Sequence, residues 1–366
     1  MAHSSIDAEL IEAHALQLLR GSSYTQDQTS PPNRLFNGDH TTQLTHDAFA
    51  EYYGQQWHLI AGHGDGQYVA TQTPKDMDRV IELIRQGDTR EAILSELRST
   101  TNAPEEACLN SINLAARLIT MMKFGVVKHQ AVPRRYIHWD SGPLRDFVKD
   151  YLNVAPALGY ELVRLPKAFN AWSVEMIGGI QVGFTDNLAD HLLLVEDDSK
   201  VLIFHHASFL EYQILQDHQS SSNSSPIFPP GFVNETLRTL ALLFPQSEFA
   251  THRRRKNPKS SWLQTLKERH SHCKVDPRLT RCGNLQVEDR QIERFVFWRD
   301  RLVILKQAYD DATPKTISQW WYDRRNSVQW YTFWVAVLVF VVTTFLGVVQ
   351  CVEGAMQVYV SYKTAS

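Results

Sequence analysis

"HLLLVEDDSKVLIFHH", His191 to His206, sets two short apolar runs on either side of Asp-Asp-Ser-Lys. "HLLLVE" and "VLIFHH" read as the strands of an antiparallel hairpin, and "DDSK" (Asp197–Lys200) reads as its four-residue turn. Upstream, "YELVRLPKAFNAWSVEMIGGIQVGFTDN" (Tyr160–Asn187) carries further alternating and β-branched stretches. A small mixed or antiparallel sheet is therefore expected over about 159–215.

Before this region the period changes to that of helices. "KDMDRVIELIRQG" closes on Gly87, and "DTREAILSELRST" opens on Asp88-x-x-Glu91, the spacing of a capping box. "NAPEEACLNSINLAARLITMMKFG" has Asn102 to cap it, Pro104 in its first turn and Gly125 to stop it. "SGPLRDFVKDYL" reads as another short helix. The first residues, up to Gly21, form an amphipathic helix interrupted by Asp7, Glu9, Glu12 and His14, without the apolar core of a signal peptide. After the sheet, "NETLRTLALLFP" reads as a helix capped by Asn234. "LQVEDRQIERFVFWRDRLVILKQAYDDATPKT" reads as one long amphipathic helix with Ile292, Phe295, Val296, Leu302 and Val303 on its apolar side.

The end of the chain differs in kind. From Val328 to Val352 no residue is charged, and the 20 residues Trp330–Val349 include 12 of Val, Leu or Phe. At 1.5 Å per residue they cover about 30 Å, the thickness of a hydrocarbon core. Trp330, Tyr331 and Trp334 crowd one end, with Trp320, Trp321 and Tyr322 just before them, as interfacial belts do. Val328, Trp330, Trp334, Gly347 and Val352 mark the expected span. Arg324 and Arg325 precede it, whereas only Lys363 is basic beyond it, so the positive-inside rule puts the bulk of the chain in the cytosol. A lone span this late would insert after synthesis, in the manner of tail-anchored proteins. In that topology the sequons at Asn223 and Asn234 carry no sugar. Gly347, Cys351 and Ala355 recur at every fourth residue, a spacing through which two membrane helices can associate.

The expected architecture is thus α+β. A mainly helical region, 1–155, is followed by an α+β region, 156–250, holding the hairpin 191–206. A basic linker over 251–284 and a juxtamembrane amphipathic helix over 285–327 lead to a transmembrane helix, 328–352, and a short tail, 353–366.

Composition bounds the chemistry. Residues 1–100 carry 14 acidic and 7 basic side chains, whereas His252–Asn284 carries 10 basic against 2 acidic. Four cysteines are too few for a disulfide framework. Arg253, Arg254, Arg255 and Lys256 fit attraction to anionic lipid headgroups at roughly 1 kcal/mol per charge near the surface, and a solvated linker equally. The helical block is not basic, which argues against nucleic acid.

The densest group of catalytic-type residues is Asp186, Asp190, His191 and His206, with His205, Asp197 and Asp198 nearby. Pairing His191 across from His206 would let imidazoles and carboxylates bind a divalent metal or share protons. Strand alternation sends His205 and His206 to opposite faces, and Asp197–Asp198 also suits a plain turn. A second group, His270, His272, Cys273 and Cys282, lacks the paired spacing of a zinc site. "GHGDG" (Gly62–Gly66) lacks the Lys-Ser/Thr of a phosphate loop. No cofactor is implied.

"TDNLADHLLLVEDDSKVLIFHHASFL", "ETLRTLALLFP" and "FWRDRLVILKQAYDDATPKTISQWWYDRRNSVQWYTFW", in that order before a Gly-containing span, resemble a family of filamentous-ascomycete proteins with one C-terminal membrane span. The resemblance covers about Thr185 to the end. It implies a fungal cell and a membrane anchor, and it supplies no catalytic residue. Two roles follow as expectations: a non-enzymatic, membrane-tethered interaction or accessory protein with an unknown protein partner, or a membrane-bound accessory protein or enzyme of fungal secondary metabolism.

Overall fold

The computed structural model describes residues 47–61, 68–125, 136–153, 155, 157–159, 163–219, 226–249, 257–271, 273–313 and 327–365. The first expected helix, the Gly62–Gly66 turn, Asn223, Arg253–Lys256, His272, Arg324 and Arg325 lie outside them.

The helical block begins with α1 (Asp47–Ala61) and α2 (Pro74–Gln86). Thr73 caps α2 through a reciprocal box with Asp76, Pro74 occupies the first turn, and Gly87 ends it at φ 91°, a left-handed conformation open to glycine. Met77, Val80, Ile81 and Ile84 form its buried stripe. In α3 (Arg90–Thr101) the cap is Thr89, whose hydroxyl accepts from Ala92 N–H, and not the expected Asp88. Asn102 caps the end of α3 in the left-handed region instead of starting the next helix. The central helix α4 (Glu105–Thr120) is nearly all buried and stops at Met121, four residues before Gly125, because Met121 itself turns left-handed. α5 (Leu144–Leu152) completes the block.

α6 (Ala171–Met176) leads to a three-stranded sheet of β1 (Gln181–Thr185), β2 (Leu193–Val195) and β3 (Lys200–Phe204). The hairpin forms as its sequence implies: β2 and β3 pair antiparallel with Val195 opposite Lys200 and Leu193 opposite Leu202. The turn is Glu196–Ser199, one residue earlier than "DDSK", with Glu196, Asp197 and Asp198 all at positive φ. β1 pairs in parallel with β3, which makes β3 the centre of a mixed sheet.

α7 (Ala207–Gln219), α8 (Phe232–Leu243), α9 (Gln246–Phe249) and α10 (Pro258–Arg269) pack around this sheet. α8 starts two residues before Asn234, from Gly231, and Asn234 lies in its first turn. The described part of the expected basic linker is folded: Trp262, Leu263, Leu266 and Leu279 are core residues. The expected long helix over 285–311 is helical only in α11 (Arg299–Asp311); before it the chain makes tight 3-10 turns at Glu288–Arg290 and Ile292–Arg294. Ile292, Phe295, Leu302 and Val303 are buried as the pattern required, but Val296 is 57% exposed. The reason is Glu235, whose buried carboxylate accepts from the backbone N–H groups of Val296, Phe297 and Trp298, each at 2.8 Å. Those donors are spent on a side chain and cannot propagate a helix.

The helical and sheet regions share one core. Leu188 N–H donates to Met121 O at 2.8 Å and Lys123 N–H donates to Asn187 Oδ1 at 3.1 Å, tying the end of α4 to the end of β1. Apart from this body, α12 runs unbroken from Ser327 to Ala365, through the expected span and the expected tail. Its Trp330–Thr364 stretch is long and apolar enough to cross a membrane. Phe340, Phe345, Leu338 and Val348 all lie more than half exposed. Such a surface is consistent with a single-pass membrane anchor.

Candidate functional site: an aspartate between two stacked histidines

β3 ends at Phe204, and the next two residues turn into α7. The extended alternation that would separate His205 from His206 therefore stops just before them. Both rings swing to one side and stack, centroids 4.0 Å apart and 29° from parallel. Asp186, the first residue after β1, lies beside them because β1 and β3 run parallel and end together at Thr185 and Phe204. Its Oδ1 accepts from His205 Nε2 at 3.1 Å and from His206 Nε2 at 2.8 Å.

The surroundings hold this arrangement firmly. Asp276 N–H donates to His205 Nδ1 at 3.4 Å, while the Asp276 carboxylate accepts from Ser208 N–H at 2.6 Å and from the Ser208 hydroxyl at 2.9 Å. A buried carboxylate thus sits at the start of α7, where the helix dipole favours it. Tyr52 of α1 meets His206 edge-on at 5.9 Å, and Phe184 meets His205 edge-on at 5.5 Å.

Ring partners assign the protons. Since His205 Nδ1 accepts, its proton is on Nε2 and points at Asp186. Burial and the neighbouring His206 bring the His205 pKa down to about 4 in spite of Asp186. Asp186 itself is buried enough to be penalised as an anion, yet the two imidazole N–H groups outweigh that and hold it well below the usual carboxylate range. His206 Nδ1 is buried and has no hydrogen-bond partner.

The expected site residues fare differently. Asp186 and His206 meet, and His205, which alternation had excluded, joins them. His191 does not. It is fully buried, accepts from Phe204 N–H at 3.2 Å through Nδ1, and donates through Nε2 to Thr239 Oγ1 at 2.7 Å. Desolvation, reinforced by Arg301, takes its pKa down to about 3, so it is a neutral core histidine. The hairpin register explains this: it sets His191 against Phe204, two residues short of His206. Asp190 closes a 3-10 turn, and Asp197 and Asp198 belong to the hairpin turn. The residue that sequence reasoning missed is Asp276, which reaches the site from a separate loop. No local signal marks it.

Among the described residues, the one group of three potential metal ligands is Asp186, His205 and His206, with ligand atoms within 4.8 Å of one another. Tetrahedral ligands about 2.1 Å from a zinc ion sit about 3.4 Å apart, so the spacing suits a divalent cation. The ring protons suit it less. Metal-bound histidines donate their second N–H to an acceptor, whereas His205 Nδ1 faces an N–H donor. The observed hydrogen bonds satisfy His205 and Asp186 without an ion. The other set does not assemble. His270 Nδ1 bonds Leu266 O, the Cys273 thiol donates to His270 O at 3.4 Å, and the Cys282 thiol donates to Arg278 O at 3.6 Å. Burial pushes the Cys273 thiol up to about 12 and the Cys282 thiol higher, so neither is the thiolate that zinc requires.

Both imidazoles are closed off: His205 is 0% exposed and His206 2%. Asp186, with 31% of its side chain exposed, is the only member in contact with solvent. What the trio can do as it stands is hold β1, β3 and α7 together with a buried, charge-assisted hydrogen-bond pair.

Comparison with family models, with curated proteins and with solved structures returns no match.

Proposed function

We propose that this chain is a single-pass membrane protein whose folded body faces the cytosol and serves as an interaction or accessory protein. The observation that carries the reading is α12, an apolar helix of 39 residues left uncovered by the body that precedes it. Arg324 and Arg325 before the span support the cytosolic side, and Arg253–Lys256 would add attraction to anionic lipid. Gly347, Cys351 and Ala355 offer a face for self-association. The closed Asp186–His205–His206 trio favours a structural over a catalytic role.

The test is alkaline carbonate extraction of membranes with the full chain, combined with protease protection. The reading expects α12 to stay in the pellet and the body to be digested without detergent. Release into the wash removes the anchor, and a protected body or a glycan on Asn234 reverses the orientation.

One observation favours a second reading, a membrane-bound accessory protein or enzyme of fungal secondary metabolism: two histidines and an aspartate do converge. Turnover lost in Asp186→Asn without loss of folding would support it. The fungal setting itself rests on the sequence resemblance alone.

A further inference from the structure

We propose that the cleft between the α8–α9 corner and the Leu285–Arg290 segment binds a small organic anion, a phosphate or carboxylate carried on an apolar group. The cleft encloses about 390 Å³, within the range of small-molecule sites. Its lining combines the apolar Leu242, Leu285 and Val287 with the charged Lys167, Glu248 and Arg290.

Arg290 decides the sign of the ligand. It is 8% exposed, its Nε reaches only Gln286 O at 3.4 Å, and its Nη1 is buried without a partner. No carboxylate lies within ion-pair distance of it among the described residues. A guanidinium keeps its charge, and a buried N–H donor left without an acceptor is unfavourable. The carboxylates closest in sequence or in the lining are engaged elsewhere. Asp289 turns to Arg238 at 3.9 Å, and Glu248 is held by Lys259 and by Asn170 Nδ2 at 2.9 Å. Lys167 is exposed and has no ion pair among the described residues. Two cations, Lys167 and Arg290, thus line a cleft whose one carboxylate, Glu248, is already paired with Lys259.

The frame around the cleft is braced. Leu165 N–H donates to Arg290 O at 2.9 Å and Ile292 N–H to Val163 O at 3.0 Å, which fixes the Arg290 backbone. At Ser247 and Asn284, which also line the cleft, Gln246 N–H donates to Gly283 O at 3.0 Å and Ser247 N–H to Asn284 Oδ1 at 2.9 Å. Lining segments held in this way reduce the cost of ordering the site on binding. The inference stands apart from the membrane reading, since it concerns the folded body alone.

The experiment is calorimetric titration of the full chain in neutral detergent micelles with phenyl phosphate, benzoate and inorganic phosphate. Nanodiscs with and without phosphatidic acid form a further arm. Saturable binding of phenyl phosphate or benzoate is expected, with inorganic phosphate weaker for want of an apolar group. Lys167→Gln and Arg290→Gln should each weaken it about tenfold, the worth of one charge-assisted contact. Lys167 is exposed, so its variant separates ligand recognition from folding. Binding that appears only with phosphatidic acid and is lost in Lys167→Gln identifies a lipid headgroup as the source of the anion. Absence of binding by every probe, or equal affinity in parent and Lys167→Gln, overturns the proposal.

Discussion

At the scale of single residues, buried histidines govern how this protein responds to acid. His191 and His205 titrate near 6.5 when unfolded but at about 3 and about 4 when folded. As pH falls below 6.5 the unfolded chain takes up protons that the folded chain refuses, so stability is lost on the acid side and kept above it. At pH 5 the loss comes to about 2 kcal/mol for each histidine. Urea unfolding at pH 7 and pH 5 should show a drop of that order, and His191→Gln should flatten it. Equal stability at both values would contradict neutral burial. Asp186 acts in the same direction over a lower window: its folded value is also depressed, so its contribution is present above about pH 4 and fades below. Asp186→Ala strips both imidazole donors of their shared acceptor and is expected to cost about 2–4 kcal/mol in chemical denaturation.

Elements here are fastened to each other by buried polar groups as much as by apolar faces. Glu235 on α8 gathers three consecutive backbone N–H groups before α11, and Thr236 beside it accepts from Trp298 Nε1 at 2.9 Å. Arg301 on α11 then donates to Ala189 O at 2.8 Å and to His191 O at 2.5 Å, linking α11 to the approach of β2. Glu235→Ala leaves three donors without an acceptor and is expected to destabilise by about 3 kcal/mol or more, measured by denaturant midpoint. Thr73→Ala, which removes the exposed capping box of α2, should cost only about 1 kcal/mol. A reversal of that order would mean the α8–α11 clamp matters less than its geometry requires. Thr236, fully buried behind Asn234, also shows why that sequon sits in a helix and not in a loop.

For the whole molecule, the decisive contrast is between a body with a continuous core and a helix with none of its apolar window buried. A chain ending at Thr313 should stay soluble without detergent and keep the thermal transition of the full chain, because α12 contributes nothing to that core. Aggregation of the shortened chain, or a transition lowered by many degrees, would show that the body leans on α12.

Much of this was legible in the sequence, and the reason is local. Helical spacing at Met77, Val80, Ile81 and Ile84, the stop at Gly87, the hairpin around Glu196–Ser199 and the uncharged run after Val328 each depend on residues close in the chain. Propensity, capping and desolvation act at that range. The boundaries failed where a distant partner intervened: Glu235 unwound the start of the long helix, and packing drew the supposed linker around Trp262 into the core. The site failed for the same reason. That His205 and His206 face one way depends on where β3 stops, and that Asp186 meets them depends on a parallel pairing of β1 with β3 across 14 residues of intervening chain. Sequence alone determined the buried stripe and stop of α2, the hairpin of β2 and β3, and the long uncharged helix near the end of the chain; it did not mark α1, α7 or α10. Only the tertiary structure decided which imidazoles share a carboxylate and which guanidinium is left without one, because those are distances between residues far apart in the chain.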